Sequence, residues 1–170
     1  MAPPPDRHGL PWTPAWIGLG SNLDDPPRQL DAAVAGLARL PRTRLVAVSG
    51  RYWSDPVGPA DQPRFLNAAA ALVTQLDAPQ LHAELRALET ALGKRPPAVR
   101  FGPRRNDLDL LAFGTLAMRT ETLELPHPRL HERAFVLYPL AELAPDVWIT
   151  GRGRVAALKA AVAGDGLSPQ

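Results

Sequence analysis

Two carboxylates one residue apart, Asp107 and Asp109, are the first chemically suggestive feature of the sequence. They begin a run, residues 106–113, that favours a β-strand, and alternate strand residues point to the same face. Their side chains would then lie about 6–7 Å apart along the strand. Carboxylates so placed suit one or two Mg²⁺ ions. Because the same pattern also occurs on solvent-facing edge strands, the pair alone leaves the metal site undecided.

A strongly basic stretch directly precedes this pair. Residues 94–105 contain five cationic side chains: Lys94, Arg95, Arg100, Arg104 and Arg105. Guanidinium groups bind phosphate oxygens in pairs and stay charged when water is excluded. A basic loop is more commonly just solvated, but carboxylates immediately after it favour a triphosphate site, since metal ions and guanidinium groups share the phosphate charge.

Two other stretches offer binding groups of a different kind. Phe65 and Asn67 lie two apart on an expected strand, so the ring and the amide share a face. The ring can stack on a flat heterocycle, and the amide can form hydrogen bonds to it. His127 lies between Pro126 and Pro128, which restrict its backbone. The alternatives are a core phenylalanine with an asparagine at a strand end, and a structural histidine.

The hydrophobic pattern predicts the elements that must position these residues. We expect a strand at residues 15–19, a helix that starts near Pro26 with Asp24 or Asp25 as its cap, and a strand from 45 to about 53. A strand at 65–73, a helix from the Asp77 cap to Gly93 and a strand at 106–113 follow. This order predicts an α+β fold, a ferredoxin-like βαββαβ sandwich whose antiparallel sheet has two helices on one face. Short C-terminal strands and helices in residues 116–162 should pack on that frame.

Length and composition limit the classes of protein. With 170 residues, 45% of them hydrophobic, we expect a flexible Pro-rich lead-in at 1–14, a single domain at 15–163 and a tail at 164–170. The absence of cysteine excludes disulfides and thiolate metal sites. A net charge of +2 is too small to imply a nucleic-acid partner, and the chain has no long apolar run or signal-peptide pattern. We therefore expect a cytoplasmic monomer without a membrane or nucleic-acid partner.

Two nucleotide-binding motifs fail. Residues 18–20 (GLG) lack the third glycine of a dinucleotide fingerprint, and no Walker A sequence is present, so an ATP site would not be a P-loop.

Four stretches, taken together in this order, resemble the 6-hydroxymethyl-7,8-dihydropterin pyrophosphokinase family of folate biosynthesis. They are residues 17–23 (IGLGSNL), 58–67 (GPADQPRFLN), 100–109 (RFGPRRNDLD) and 125–135 (LPHPRLHERAF). The resemblance runs from about residue 15 to residue 148. It implies transfer of the β,γ-diphosphate of ATP to the pterin hydroxyl, with release of AMP.

The resemblance also implies roles for individual residues. Asp107 and Asp109 would hold two Mg²⁺ ions that bridge ATP and the pterin. Arg104 and Arg95 would act on the transferring phosphates. The residues implied on the nucleotide side are Glu89, Lys94, Arg100, Phe101, His127 and Arg133. The residues implied on the pterin side are Val57, Gly58, Phe65, Asn67 and Phe135.

The sequence departs from the family pattern in the basic loop. The family usually has Gly-Arg-x-Arg where this chain has residues 93–96 (GKRP), and often has tryptophan at the position of Phe101. We expect Arg95 to supply the charge that Pro96 cannot. Two other classes remain open at this point: a member of the family that binds nucleotide with little turnover, and a ferredoxin-like RNA-binding module, although no RNP1-like aromatic strand is present.

Overall fold

The computed structural model describes residues 10–95 and 101–170, which form ten strands and four α-helices in those ranges. In chain order the elements are β1 Thr13–Ser21, α1 Pro26–Leu37, β2 Thr43–Val48, β3 Tyr52–Ser54, β4 Phe65–Thr74, α2 Ala78–Ala91, β5 Asp107–Phe113, β6 Met118–Arg119, β7 Glu124–Leu125, a 3₁₀ turn Leu130–Glu132, α3 Ala134–Leu143, β8 Trp148–Ile149, β9 Gly153–Arg154, α4 Val155–Ala160 and β10 Ser168–Pro169.

One antiparallel sheet organises the molecule. Its strand order is β10-β3-β4-β1-β5, and β2 also pairs with β4. The central strand β1 pairs with β4 on one side and β5 on the other. If β2 and β3 are taken as the second strand of the predicted unit, this is the ferredoxin-like βαββαβ arrangement, and the predicted fold class is confirmed.

Strand alternation separates two hydrophobic layers. Ile17 and Leu19 of β1, with Leu108 of β5, belong to a core that also contains Leu30 of α1 and Leu85 of α2. The predicted placement of the two helices on one face is therefore correct. On the opposite face of the sheet a second, smaller core forms mainly under α3 and contains Ala69, Leu111, Leu137 and Leu140.

The helix starts follow the sequence signals. Asp25 is the N-cap of α1, and Pro26 occupies the first turn, where the missing N–H is not needed. Asp77 begins α2 with a complete capping box: the Gln80 N–H donates to Asp77 Oδ1 at 2.8 Å, and the Asp77 N–H donates to Gln80 Oε1 at 2.9 Å.

The predicted strand at residues 45–53 is wrong as a single element. It divides into β2 and β3 because Gly50 leaves the ladder and donates its N–H to Glu142 Oε2 of α3 at 2.8 Å. Two other boundaries also differ from expectation: β1 starts at Thr13, and Ser168–Pro169 add a strand to the sheet beside β3. None of the helices in the described part of the chain is long and apolar enough to cross a membrane.

Candidate functional site

A cavity of about 510 Å³ opens on the α3 side of the sheet, a size typical of small-molecule sites. Its floor is the central strand β1, which exposes Gly18 and Gly20 there because Ile17 and Leu19 face the other core. Gly20 pairs with Asn67 of β4 and with Asp107 of β5. At Gly18 and Gly20 the floor carries no β1 side chain, and it lies between a wall on β4 and a wall on β5.

The described residues that line the cavity are Gly18, Leu19, Gly20, Ser54, Asp55, Val57, Phe65, Asn67, Ala68, Lys94, Phe101, Arg104, Asp107, Asp109, Leu111, His127, Arg129, Arg133, Phe135 and Val136.

The wall on β5 carries the carboxylate pair and the cations around it. Asp107 and Asp109 point to the cavity, while Leu108 between them is buried in the core. Lys94 Nζ lies 2.8 Å from Asp107 Oδ1, and Arg104 Nε lies 2.9 Å from Asp107 Oδ2. The side-chain Nε–H of Arg104 makes no hydrogen bond with the described residues, so that pair is a charge contact. Asp109 is less engaged: the guanidinium of Arg86 is 3.9 Å away.

Glu89 lies behind this wall and fixes it. It is only 3% exposed, on the stripe of α2 that buries Leu85, and it does not line the cavity. Its Oε2 accepts from the Leu108 N–H and from Lys94 Nζ, both at 2.8 Å, and Arg86 Nη1 lies 2.9 Å from Oε1. Glu89 therefore anchors the backbone between the two aspartates.

Lys94 is the cation shared by these carboxylates. Burial alone would lower the pKa of its ammonium group, but the charges and hydrogen bonds of Asp107 and Glu89 outweigh burial and raise it. Lys94 thus stays charged and neutralises Asp107.

The donor set of this wall fits Mg²⁺ in a particular way. The described residues contain no group of three or more histidine, aspartate or glutamate side chains that could hold a metal by themselves. Mg²⁺ is commonly bound by one or two carboxylates and completes its shell with water and substrate phosphates. Asp107 and Asp109 meet that requirement only if a phosphate ligand is also present.

The wall on β4 is built for a flat, polar ring. Phe65 and Asn67 are both almost fully buried. The Asn67 side chain donates to Ser54 Oγ at 2.8 Å and to the Tyr52 carbonyl at 3.1 Å. These bonds fix the amide, and its Oδ1 lies over the floor, 3.5 Å from where a Cβ on Gly20 would be.

Two of the aromatic rings that line the cavity, those of Phe65 and Phe135, each lie close to a guanidinium group. Arg104 lies 5.2 Å from the centre of the Phe65 ring, and Arg133 lies 5.5 Å from the centre of the Phe135 ring. Arg104 therefore contacts both walls, because it also pairs with Asp107.

His127 lies at the cavity in a fixed orientation. Its backbone N–H donates to the Leu111 carbonyl at 2.8 Å, and its Nδ1 accepts from the Arg129 N–H at 3.2 Å. Nδ1 as acceptor assigns the proton of the neutral ring to Nε2. Burial lowers the pKa of His127, against the opposing charge of Asp109. His127 is thus a neutral hydrogen-bond donor near pH 7.

A buried polar cluster ties the loops around the cavity together. Asn22, just after β1, donates to Gln62 Oε1 at 3.0 Å and to the Pro63 carbonyl at 2.9 Å, and its Oδ1 accepts from the Arg104 N–H at 2.8 Å. Gln62 in turn donates to the Phe101 carbonyl at 2.8 Å. The loop after β3 and the loop before β5 are therefore held by the same two amides.

The structure brings most of the residues singled out in the sequence to this cavity. Val57 lines it, whereas Gly58 does not. Gly58 instead packs against Phe101 so closely that a Cβ at Gly58 would lie only 2.7 Å from the Phe101 Cβ. Arg95 is exposed and lies outside the cavity lining. Arg100 lies outside the described residues.

The sequence reasoning missed four contributors: Gly18 and Gly20 as the floor, and Asn22 and Gln62 as the link between loops. In the sequence the glycines belong to a failed dinucleotide motif and to the stretch at residues 17–23, and neither gives them a role in the site. Their alternation with Ile17 and Leu19 was the signal that they share the face of Asp107 and Asn67.

The site is that of a phosphate-handling enzyme that also accommodates a flat heterocycle, and comparison with known proteins identifies the family. The profile of the 7,8-dihydro-6-hydroxymethylpterin-pyrophosphokinase (HPPK) family matches residues 16–145. The chain belongs to this family.

Characterised relatives agree with that assignment. A 2-amino-4-hydroxy-6-hydroxymethyldihydropteridine pyrophosphokinase from Pseudomonas aeruginosa is 52% identical over 132 residues, which cover 78% of this chain and 81% of the relative. The protein of the same name from Methylorubrum extorquens is 47% identical over 82% of this chain and 87% of the relative. A crystal structure of Plasmodium falciparum HPPK-DHPS with pteroate covers 88% of this chain and 44% of that chain, with a TM-score of 0.70. At 11% identity it supports the fold alone.

Proposed function

We propose that this protein transfers the β,γ-diphosphate of ATP to the hydroxyl of 6-hydroxymethyl-7,8-dihydropterin and releases AMP, a step of folate biosynthesis. One observation carries the proposal: a glycine floor joins a wall of carboxylates and cations to a wall with an aromatic ring and a fixed amide. A diphosphate donor and a flat acceptor would meet over Gly20.

The wall on β4, together with Phe135 of α3, orients the pterin. Phe65 and Phe135 supply ring faces for stacking, and Asn67 Oδ1 is available to accept from an N–H on the edge of the heterocycle. Because Ser54 and Tyr52 already hold the Asn67 amide, binding requires little reordering of that side chain.

The wall on β5 and the cations around it position the phosphates. Lys94, Arg104 and Arg133 line the cavity on the side of the aspartates and stabilise the charge of the transferring group. His127, with its proton on Nε2, donates to a phosphate oxygen without adding charge. Arg95 and Arg100 would add further positive charge to this set.

Two Mg²⁺ ions bound to Asp107 and Asp109 would neutralise charge on the transferring phosphates. To act as a metal ligand, Asp107 must give up its contact with Lys94. Lys94 is then free to turn to a phosphate while it keeps its ion pair with Glu89.

In the reaction the pterin hydroxyl oxygen bonds to the β-phosphorus, and the hydroxyl proton passes to Asp109 or to water. The bond from that phosphorus to the oxygen shared with the α-phosphate breaks, and this oxygen stays with AMP. Arg104 contacts both Phe65 and Asp107, so its guanidinium group can stabilise the charge of the transferring phosphates on both sides of the floor. We further propose a cytoplasmic location, and a monomer because one chain supplies both described walls.

The test is a product assay. The protein is incubated with ATP, Mg²⁺ and the hydroxymethyl pterin, and nucleotides are separated. The proposal expects equal amounts of AMP and pterin diphosphate, and no product without Mg²⁺. Release of ADP would indicate transfer of a single phosphoryl group, and tight nucleotide binding without any product would indicate a member of the family that has lost catalysis.

A further inference from the structure

The C-terminal segment reaches the rim of the cavity. After α4 the chain turns back over α3, where Gly164 leaves no room for a side chain beside the Tyr138 ring. Residues 166–169, which we name the C-terminal strap, then run along β3: Ser168 and Pro169 pair with Trp53 and Tyr52. The profile of the family ends at residue 145, so the strap lies beyond the matched region.

Arg64 fastens the strap to the cavity rim. Its Nη2 donates to the Gly166 carbonyl at 2.7 Å and more weakly to the Trp53 carbonyl at 3.4 Å. Its Nε lies 3.3 Å from Oδ1 of Asp55, which lines the cavity. One side chain therefore joins the strap, β3 and the first residue of the loop beside the cavity, and it directly precedes Phe65.

Gly166 lies against the same carboxylate. Its φ of +75° is a backbone conformation that side chains rarely adopt, and a Cβ built there would be 2.4 Å from Asp55 Oδ2. The strap thus limits where the Asp55 side chain lies from one direction, and Arg64 does so from the other.

The position of β3 matters for the heterocycle wall. Its last residue, Ser54, accepts the 2.8 Å hydrogen bond that fixes Asn67, and Tyr52 supplies the second acceptor. Without the strap, β3 is a three-residue edge strand, since only β4 would pair with it.

We propose that the C-terminal strap and Arg64 are positioning elements of the pterin wall: they hold Ser54 and Asp55 in place and so set the width of the cavity for the heterocycle. This inference rests on the proposed function. It predicts that disturbing the strap weakens use of the pterin while leaving ATP binding and the maximal rate nearly unchanged, because the phosphate wall lies across the floor on β5.

Two glycines allow a matched test. Gly166 and Gly151 both have φ of +75°, but a Cβ on Gly151 would have nothing within 4 Å, whereas one on Gly166 meets Asp55. Gly166→Ala and Gly151→Ala should therefore suffer similar backbone strain, and they differ in the contact with Asp55. Gly151→Ala lies in the distant β8–β9 turn and should keep wild-type kinetics.

The expected result is a rise of about threefold or more in the KM for the pterin in Gly166→Ala, with kcat and the KM for ATP within about twofold of wild type. Arg64→Ala should give the same split, and Arg154→Ala, which loses an exposed arginine outside the cavity, should not. Equal effects of the two glycine variants, or an equal rise in both KM values, would overturn the inference.

Hydrogen exchange keeps this test separate from the proposed function. The amides of Ser54, Asp55, Val57 and Gly58 should exchange faster in Gly166→Ala than in Gly151→Ala, whatever the protein catalyses. Unchanged exchange there would contradict the positioning role. Failure of wild-type protein to form AMP would instead overturn the proposed function.

Discussion

At the scale of single residues, the two aspartates have different surroundings. Asp107 contacts Lys94 and Arg104, whereas the nearest described cation to Asp109 in an ion pair is Arg86 at 3.9 Å. Their pairing on one strand face followed from spacing alone. Their partners did not, because Glu89 and Lys94 reach them only through the packing of α2 on β5.

Asp107→Asn and Asp109→Asn should each reduce turnover by at least about a hundredfold, because an amide is a weaker Mg²⁺ ligand and the transition state loses charge stabilisation. AMP formation and the thermal midpoint are measured together. Asp24→Asn is the control: Asp24 pairs with Arg105 and does not line the cavity. Near-normal turnover in either cavity variant would contradict a metal role for that carboxylate.

Arg95 is exposed outside the cavity, so its side chain must move to reach a phosphate bound there. If it supplies the charge that Pro96 lacks, Arg95→Ala should slow the chemical step by about tenfold or more with little change in ATP affinity. Single-turnover quench-flow measures that step directly. An unchanged chemical step would mean that Arg95 remains a solvated side chain.

At the scale of elements, the sequence predicted what local patterns determine. The caps at Asp25 and Asp77 and the alternation in β1, β4 and β5 follow from adjacent residues. The break between β2 and β3 depends on Glu142, and β10 depends on a strand more than a hundred residues earlier. Neither partner is visible in the local pattern.

Gly20 of β1 forms part of the cavity floor, and its replacement by alanine tests that placement. A methyl group there would lie 3.5 Å from Asn67 Oδ1 and 3.9 Å from the Phe65 ring, an ordinary contact without positive φ. Gly20→Ala should therefore keep or slightly raise the thermal midpoint, because alanine is less costly than glycine in a strand. The substitution should also raise the KM for the pterin, because the added methyl group reduces the cavity space above β1. A lower thermal midpoint with an unchanged KM would contradict the assignment of Gly20 to the floor.

At the scale of the whole molecule, the sheet order accounts for the site. Because β1 lies between β4 and β5, Asn67 of β4 and Asp107 of β5 both pair with Gly20. Asn22 and Gln62 join the loops on either side of the cavity. The hydrophobic pattern predicted the fold class, and the four sequence stretches contain most of the cavity residues. They did not reveal that the amides of the first and second stretches bond each other, since buried polar contacts between distant loops leave no periodic signal.

The central claim is that one cavity has separate walls for two substrates, and calorimetric titration of Phe65→Ala and Phe135→Ala tests it most directly. Pterin is titrated in the presence of a non-hydrolysable ATP analogue, and the analogue is titrated alone. Loss of stacking and buried area should weaken pterin binding by about tenfold or more while the affinity for the analogue stays within about twofold. Equal weakening of both ligands would contradict the two-wall account and identify the rings as part of the core.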